Sequence, residues 1–215
     1  MVYEVKISDP SYPYLLKQIF DPPQILYVVG NPELFEGSHR MIAIVGTRKI
    51  TTYGQNITAK LTKEIVEAGF TIVSGMALGV DGVAHKVAIE AGGKTVAVLG
   101  AGVEVIYPPQ HTRLYNSITT HGAVISEVPG WQRVSRKLFP ARNRIISGLS
   151  EAVVVTEGAL DSGSLITARM ALEQGRDVFA VAGSAGADYL IDQGAKRVTS
   201  AEEILEELID NSPGV

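Results

Sequence analysis

Five cations and two aromatic rings fall in a stretch that holds no carboxylate. Between Val128 and Ser150 the chain carries Arg133, Arg136, Lys137, Arg142 and Arg144, with Trp131 and Phe139 among them. The remaining residues hold 14 basic and 23 acidic side chains, so a net charge of −4 conceals a cationic window in a chain that is otherwise −9. Ring faces interleaved with Arg and Lys suit single-stranded nucleic acid, because bases stack on rings while cations meet phosphates. The same spacing also fits a solvated basic loop with Phe139 turned into the core.

Two other segments can hold an anion. Gly46-Thr47-Arg48-Lys49 leads into Thr51-Thr52-Tyr53-Gly54, a glycine-containing turn with a cation before a helix start. Asp161-Ser162-Gly163-Ser164-Leu165-Ile166-Thr167-Ala168 offers small hydroxyl residues and a glycine at the opening of another helix. Exposed amides and the helix dipole favour phosphate at such places, and Ser162 or Ser164 equally fits an ordinary N-cap. Asp81 and His85 stand four apart and could share a helix face, but with no further ligand cluster they read as a cap and a core hydrogen bond. Ser164 has no base and acid arranged with it as a triad, and Glu157 is a strand-end carboxylate that could serve as acid–base group or as structure.

Several chemistries are excluded. No G-x-G-x-x-G follows the first strand, and Ser74-Gly75 stands where a ribose-binding acid would be required for NAD. Gly100-Ala101-Gly102 is followed by Val105 at the third glycine position, and no Walker A sequence occurs. The 215 residues include no cysteine, which removes disulfides, thiolate chemistry and cysteine-ligated metals. No metal and no cofactor is expected.

Short Val- and Ile-rich runs must carry these loops. Met41–Val45, Phe70–Val73, Thr95–Leu99, Ala123–Ile125, Ala152–Val155 and Val178–Ala182 read as strands buried on both faces. Helical patterns lie between them at Gln55–Ala68, Gly82–Ala91, His111–Thr120, Ile145–Leu149 and Leu165–Gln174, with Gly69, Gly92 and Gly175 at their ends. A weak strand near Arg197–Val198 and the acidic helix Ala201–Ile209 close the pattern. Alternation of this kind implies an α/β fold with a parallel sheet covered on both faces. Residues 1–40, broken by five prolines, are expected to be a lead-in packing on a core domain of residues 41–215, with a short helix at Tyr14–Ile19 and an extended Ile25–Val29. Ligands in open α/β sheets bind outside the carboxyl ends of the strands, where these loops lie. The polar, proline-broken N-terminus is not a signal peptide, and no apolar run approaches the ~18 residues that span a bilayer. A pI near 5.6 confines nucleic-acid binding to a local, salt-sensitive patch.

In order along the chain, VGTRKITTYG (45–54), IVSGMALGVDGVAH (72–85), TVAVLGAGVEVIYPP (95–109), ISEVPG (125–130), FPARNRIISGLS (139–150), SGSLITARMALEQGRDVFAV (162–181) and LIDQGA (190–195) resemble the DNA-processing protein A family, also called Smf. The resemblance implies an extended Rossmann-like, mostly parallel sheet and a non-enzymatic single-stranded-DNA-binding protein. It also implies protection of incoming transforming DNA, assistance in RecA loading, homodimerisation through this domain, a cytoplasmic location and no membrane partner. Its DNA pocket maps onto Gly46, Thr47 and Arg48, the Lys137-to-Asn143 segment and the loop from Ser162 to Thr167. By that resemblance Arg48, Lys137 and Arg142 take phosphates, Phe139 stacks on a base or walls the pocket, and Asn143 bonds the nucleotide or fixes the loop. Gly163 and Ser164 offer amides. Arg144 is expected to pair internally with Glu127 or Glu157. The chain departs from the family at Ala182-Gly183, where Pro-Gly is usual, and in a shorter SAGADY stretch read as a loop bordering the pocket. It has no room for the family's flanking domains. The alternative is a nucleotide sensor or a phosphoribohydrolase-like enzyme, against which DSGSLIT replaces the PGGxGT-type loop of such enzymes.

Overall fold

A computed structural model describes residues 1–36, 39–133, 135 and 137–210. Its centre is a strand of five apolar residues, all of them buried. The lead-in supplies β1 (Tyr3–Lys6), α1 (Tyr14–Lys17) and β2 (Ile25–Gly30), then a 3-10 turn at Pro32–Phe35. There follow β3 (Met41–Val45), α2 (Thr52–Glu67), β4 (Thr71–Ser74), α3 (Val80–Glu90) and β5 (Thr95–Val98). A second 3-10 turn (Pro109–His111) runs into α4 (Thr112–His121), and β6 (Ala123–Ser126), α5 (Leu138–Leu149), β7 (Ala152–Val155) and α6 (Gly163–Glu173) come next. The described chain closes with β8 (Asp177–Ala180), α7 (Ala185–Asp192), β9 (Lys196–Arg197) and α8 (Ala201–Asp210).

The sheet has nine strands in the order β1-β2-β6-β5-β4-β3-β7-β8-β9. All pairings from β6 through β9 are parallel, and β1 and β2 add antiparallel beyond β6. The chain steps from β3 towards β6 in one direction, then returns to β7 on the other side of β3. That reversal makes the carboxyl ends of β3 and β7 the switch point of the sheet.

Side chains alternate across each strand, so the two faces have separate cores. Met41, Ala43 and Val45 join Ile145, Ile146, Val153 and Val155 on one face. Ile42 and Ile44 join Leu61, Ile65, Ala84, Val154 and Phe179 on the other. Strands clothed on both faces need continuous apolar runs, which is why these segments read so clearly in the sequence.

Three elements differ from the expected ones. Helix α5 begins at Leu138, seven residues before the expected Ile145, so Phe139, Arg142 and Asn143 are helical. Pro140 is compatible with this because the first amides of a helix have no intrahelical acceptor. The SAGADY stretch is the start of α7, not a loop. Strand β1 has no counterpart in the expected pattern, since Val5 is its one buried residue. Arg136, one of the five cations of the basic window, lies outside the described residues.

Candidate functional site

Loops after β3 and β7 meet at the switch point. Gly46 follows β3 directly, and a Cβ there would come within 2.5 Å of the Glu157 carbonyl and of Val80. Only glycine permits that approach. It lets the Thr47 amide donate to the Glu157 carbonyl at 2.8 Å while the Thr47 carbonyl accepts from Val80 at 3.1 Å. Strand-end loops of β3 and β7 and the start of α3 are thereby fixed to one another. Glu157 extends the same joint: its Oε2 accepts from the Thr51 amide at 3.0 Å and the Thr51 hydroxyl at 3.1 Å. Thr51 in turn caps α2 by accepting from the Gly54 amide.

A cleft of about 550 Å³ opens beside this joint. Gly46, Thr47, Arg48, Phe139, Arg142, Asn143, Gly163, Ser164 and Thr167 all line it. Lys137 does not; it stands exposed at the N-cap position of α5. The third side is the start of α6, where the Ser162 hydroxyl accepts from the Ser164 amide and contacts the Ser164 hydroxyl at 2.8 Å. Asn143 Nδ2 donates to the Gly163 carbonyl at 3.2 Å, tying α5 to α6, and Thr167 Oγ1 donates to the same carbonyl. A Cβ on Gly163 would meet nothing within 4 Å, so its Cα faces the open cleft. The positive end of α6 is therefore presented to whatever enters.

A smaller apolar notch adjoins the cleft. Arg48, Ala77, Phe139 and Arg142 line both, while Leu78, Leu99, Tyr107 and Pro108 belong to the notch. The Arg48 guanidinium lies 5.4 Å from the Phe139 ring centroid, and Tyr107 sits 6.0 Å from the same ring at a tilt of 46°. An exposed cation over a ring, at the seam between a polar cleft and an apolar notch, gives one place for a phosphate and one for a flat base.

Arg142 has a different setting from the exposed phosphate contact expected of it. It faces inward from α5, is only 6% exposed, and donates from Nη1 to the Val98 carbonyl at 2.7 Å. Its Nε is buried without a hydrogen-bond partner. Burial lowers the guanidinium to about 10, with the Asp81 carboxylate opposing that shift and Arg48 adding to it. Asp81 is itself pushed up by burial despite the attraction of Arg142. Desolvation outweighs mutual attraction at both ends, which is the signature of charge held in a dry place. Gly75 makes room for this, since a Cβ there would overlap the Arg142 guanidinium.

Asp81 does not cap its own helix, as its position suggested. Its Oδ2 accepts from the Gly75 amide at 3.1 Å and the Ala77 amide at 3.3 Å, in the loop before α3. Met76 between them has φ of +56° and is fully buried. A non-glycine residue tolerates this region only when neighbours hold it there. His85 Nε2 accepts from the Met76 amide, its Nδ1 meets Thr95 Oγ1 at 2.6 Å, and Thr95 donates onward to Ile72. That chain fixes a neutral imidazole, and burial lowers its pKa to about 3. The sequence does not mark Gly75, Ala77, Tyr107 and Pro108 as site residues. The available signal was their position after β4 and β5, at the same end of the sheet.

Arg144, two residues beyond Arg142, faces away from the cleft. It pairs with Glu127 at 2.6 Å and with Asp21 at 3.3 Å, so Glu127 and not Glu157 is its partner. Among the described residues no group of three or more His, Cys, Asp or Glu side chains could hold a metal ion.

The family model described as DNA recombination-mediator protein A matches residues 4–209. A relative named DNA processing protein DprA from Bacillus subtilis is 48% identical over 210 residues, covering 95% of this chain and 70% of that protein. The crystal structure of DNA processing protein A from Streptococcus pneumoniae superposes with a TM-score of 0.91 at 41% identity, covering 95% of this chain and 74% of that one. A structure of DNA processing protein A from Helicobacter pylori, described for its single-stranded-DNA binding mode, gives 0.87 at 28% identity over 98% of this chain and 97% of that one.

Proposed function

The chain belongs to the DNA recombination-mediator protein A family, and from that premise we propose that it binds single-stranded DNA in the cleft at the β3–β7 switch point. One observation carries the reading: Arg48 lies over the Phe139 ring where a polar cleft meets an apolar notch. Phosphates are held by exposed Arg48 and by the Gly163 amide at the start of α6, while buried Arg142 adds its positive charge from the cleft wall. A base enters the notch between Phe139, Tyr107 and Leu78. Thr47 and Gly46 shape the rim, Asn143 holds α5 against α6, and exposed Lys137 adds attraction outside the cleft.

The protein performs no chemistry on the strand. Glu157, the carboxylate a hydrolytic reading would need, has its Oε2 engaged by the Thr51 amide and hydroxyl. Binding therefore serves to shelter incoming single strands in the cytoplasm and to assist their transfer to RecA in transformation and recombination, with the protein acting as a homodimer. The named binding mode of the Helicobacter pylori relative supports the ligand.

Substitution separates the two kinds of contact. Arg48→Ala is expected to weaken binding of oligo-dT and to flatten its salt slope by about 0.7 for one phosphate contact. Phe139→Ala is expected to weaken it by about 1–3 kcal/mol with the slope unchanged, because stacking releases no counterion. Full affinity and slope in both variants would place the DNA elsewhere.

A further inference from the structure

A second groove lies beyond the loop that walls the central cleft. It encloses about 530 Å³ between α2, α3 and α4. Its donors are Lys86 on α3 and Arg113 on α4, with the side-chain amides of Gln55 and Gln110. Among the described residues no Asp or Glu lines it, although the chain is acidic overall. The nearest carboxylate contact, Lys86 to Glu90 at 3.7 Å, joins two largely exposed side chains and leaves the ammonium in water.

The groove and the cleft are separated by a single thickness of chain. Gly79 lines the groove, and a Cβ on it would collide with the Thr47 and Arg48 backbone, which lines the cleft. Ile50 continues the same wall. His111 reaches across beneath it: its Nδ1 bonds the Met76 carbonyl at 2.9 Å, next to Ala77 of the cleft. Gly82 permits this, because a Cβ there would come within 2.8 Å of the imidazole Cε1.

The lining also differs in kind from that of the central site. The cleft and notch contain Phe139 and Tyr107, whereas among the described residues no aromatic carbon ring lines the groove. Donors and cations without such a stacking surface recognise phosphate and sugar and leave bases unread. We propose that this groove is a second phosphate track, taking the backbone of a single strand as it leaves the central cleft over the loop from Thr47 to Ile50. The inference rests on the single-stranded-DNA reading of that cleft and extends the length of strand engaged.

The test is a comparison of oligonucleotide lengths. Lys86→Ala/Arg113→Ala would be titrated, beside the unaltered protein, with labelled oligo-dT of about 5 and about 20 nucleotides at several salt concentrations. Both side chains are exposed, and matching thermal unfolding of the two proteins controls for folding. The expected result is unchanged affinity for the short strand, with the long strand bound about tenfold more weakly and its salt slope flattened by about 1.4, or 0.7 for each of two lost contacts. Unchanged affinity and slope for the long strand would overturn the track while leaving the central site intact. Equal loss for both lengths would overturn it too, since the groove would then act on the central cleft and not beyond it. If the unaltered protein bound neither strand, the central reading would fall and the track with it.

Discussion

The two sides of α5 receive the same kind of residue and treat it in opposite ways. On the cleft side, Arg142 is buried, holds a backbone carbonyl with one nitrogen and has no partner for another. On the far side, Arg144 is enclosed by Glu127 and Asp21 and donates further to the Asp21 and Ala141 carbonyls. Two residues apart on a helix is a rotation of about 200°, enough to carry one side chain to the cleft face and the other to the back. Arg144 is part of the wall that joins the lead-in to the core. Arg142 lines the cleft, with its unpartnered Nε itself buried. Local charge density in the sequence therefore overstates the binding surface, because folding neutralises some cations and leaves others open.

The largest effect is expected from Arg142→Ala. It removes a charge-assisted bond to Val98 and leaves Asp81 buried without its opposing charge, at a cost of about 3 kcal/mol or more in urea unfolding. Strand binding should fall as well, and retention of both properties would dissolve the distinction between the two sides. Arg144→Ala should cost about 2 kcal/mol, since its ion pair is partly buried, and should leave affinity for the single strand unchanged once the folded fraction is matched. A loss of affinity there would show that the back of α5 also touches DNA.

A separate, pH-dependent effect belongs to the loop that shelters Arg142. His85 titrates at 6.5 when unfolded and near 3 when buried, so below pH 6.5 the unfolded chain takes up a proton that the folded one refuses. Its contribution to stability is complete above that pH and is lost at up to about 1.4 kcal/mol per unit as pH falls towards 3. His85→Gln should be less stable than the unaltered protein at neutral pH, with the gap narrowing on acidification. A gap that stayed constant from pH 7 to 4 would mean that His85 is not held neutral.

The sheet was legible because its strands are buried on both faces, and such strands must be runs of Val, Ile and Ala such as those at Met41–Val45 and Ala152–Val155. The cleft was legible in part, because Gly46-Thr47-Arg48 and Ser162-Gly163-Ser164 follow strands and open helices. Three things were hidden. Strand β1 buries only Val5 and pairs through its backbone at the sheet edge, so no apolar run marks it. Pro140 and the surrounding cations masked the first two turns of α5, which form because Ile145, Ile146 and Leu149 anchor the helix to the core. The loop from Gly75 to Ala77 was unreadable for a different reason. Its left-handed Met76 is imposed by His85, His111 and Asp81, which come from later parts of the chain.

The proposed capture of single strands by a net-acidic protein rests on a local cleft. Its most direct test is fluorescence anisotropy of a labelled oligo-dT of about 20 nucleotides, titrated at several salt concentrations beside the matching duplex. Tighter binding of the single strand, weakening steeply with salt, is expected, because phosphates meet cations while unpaired bases reach Phe139 and Tyr107. Equal or tighter binding of the duplex, or no binding at low salt, would contradict it.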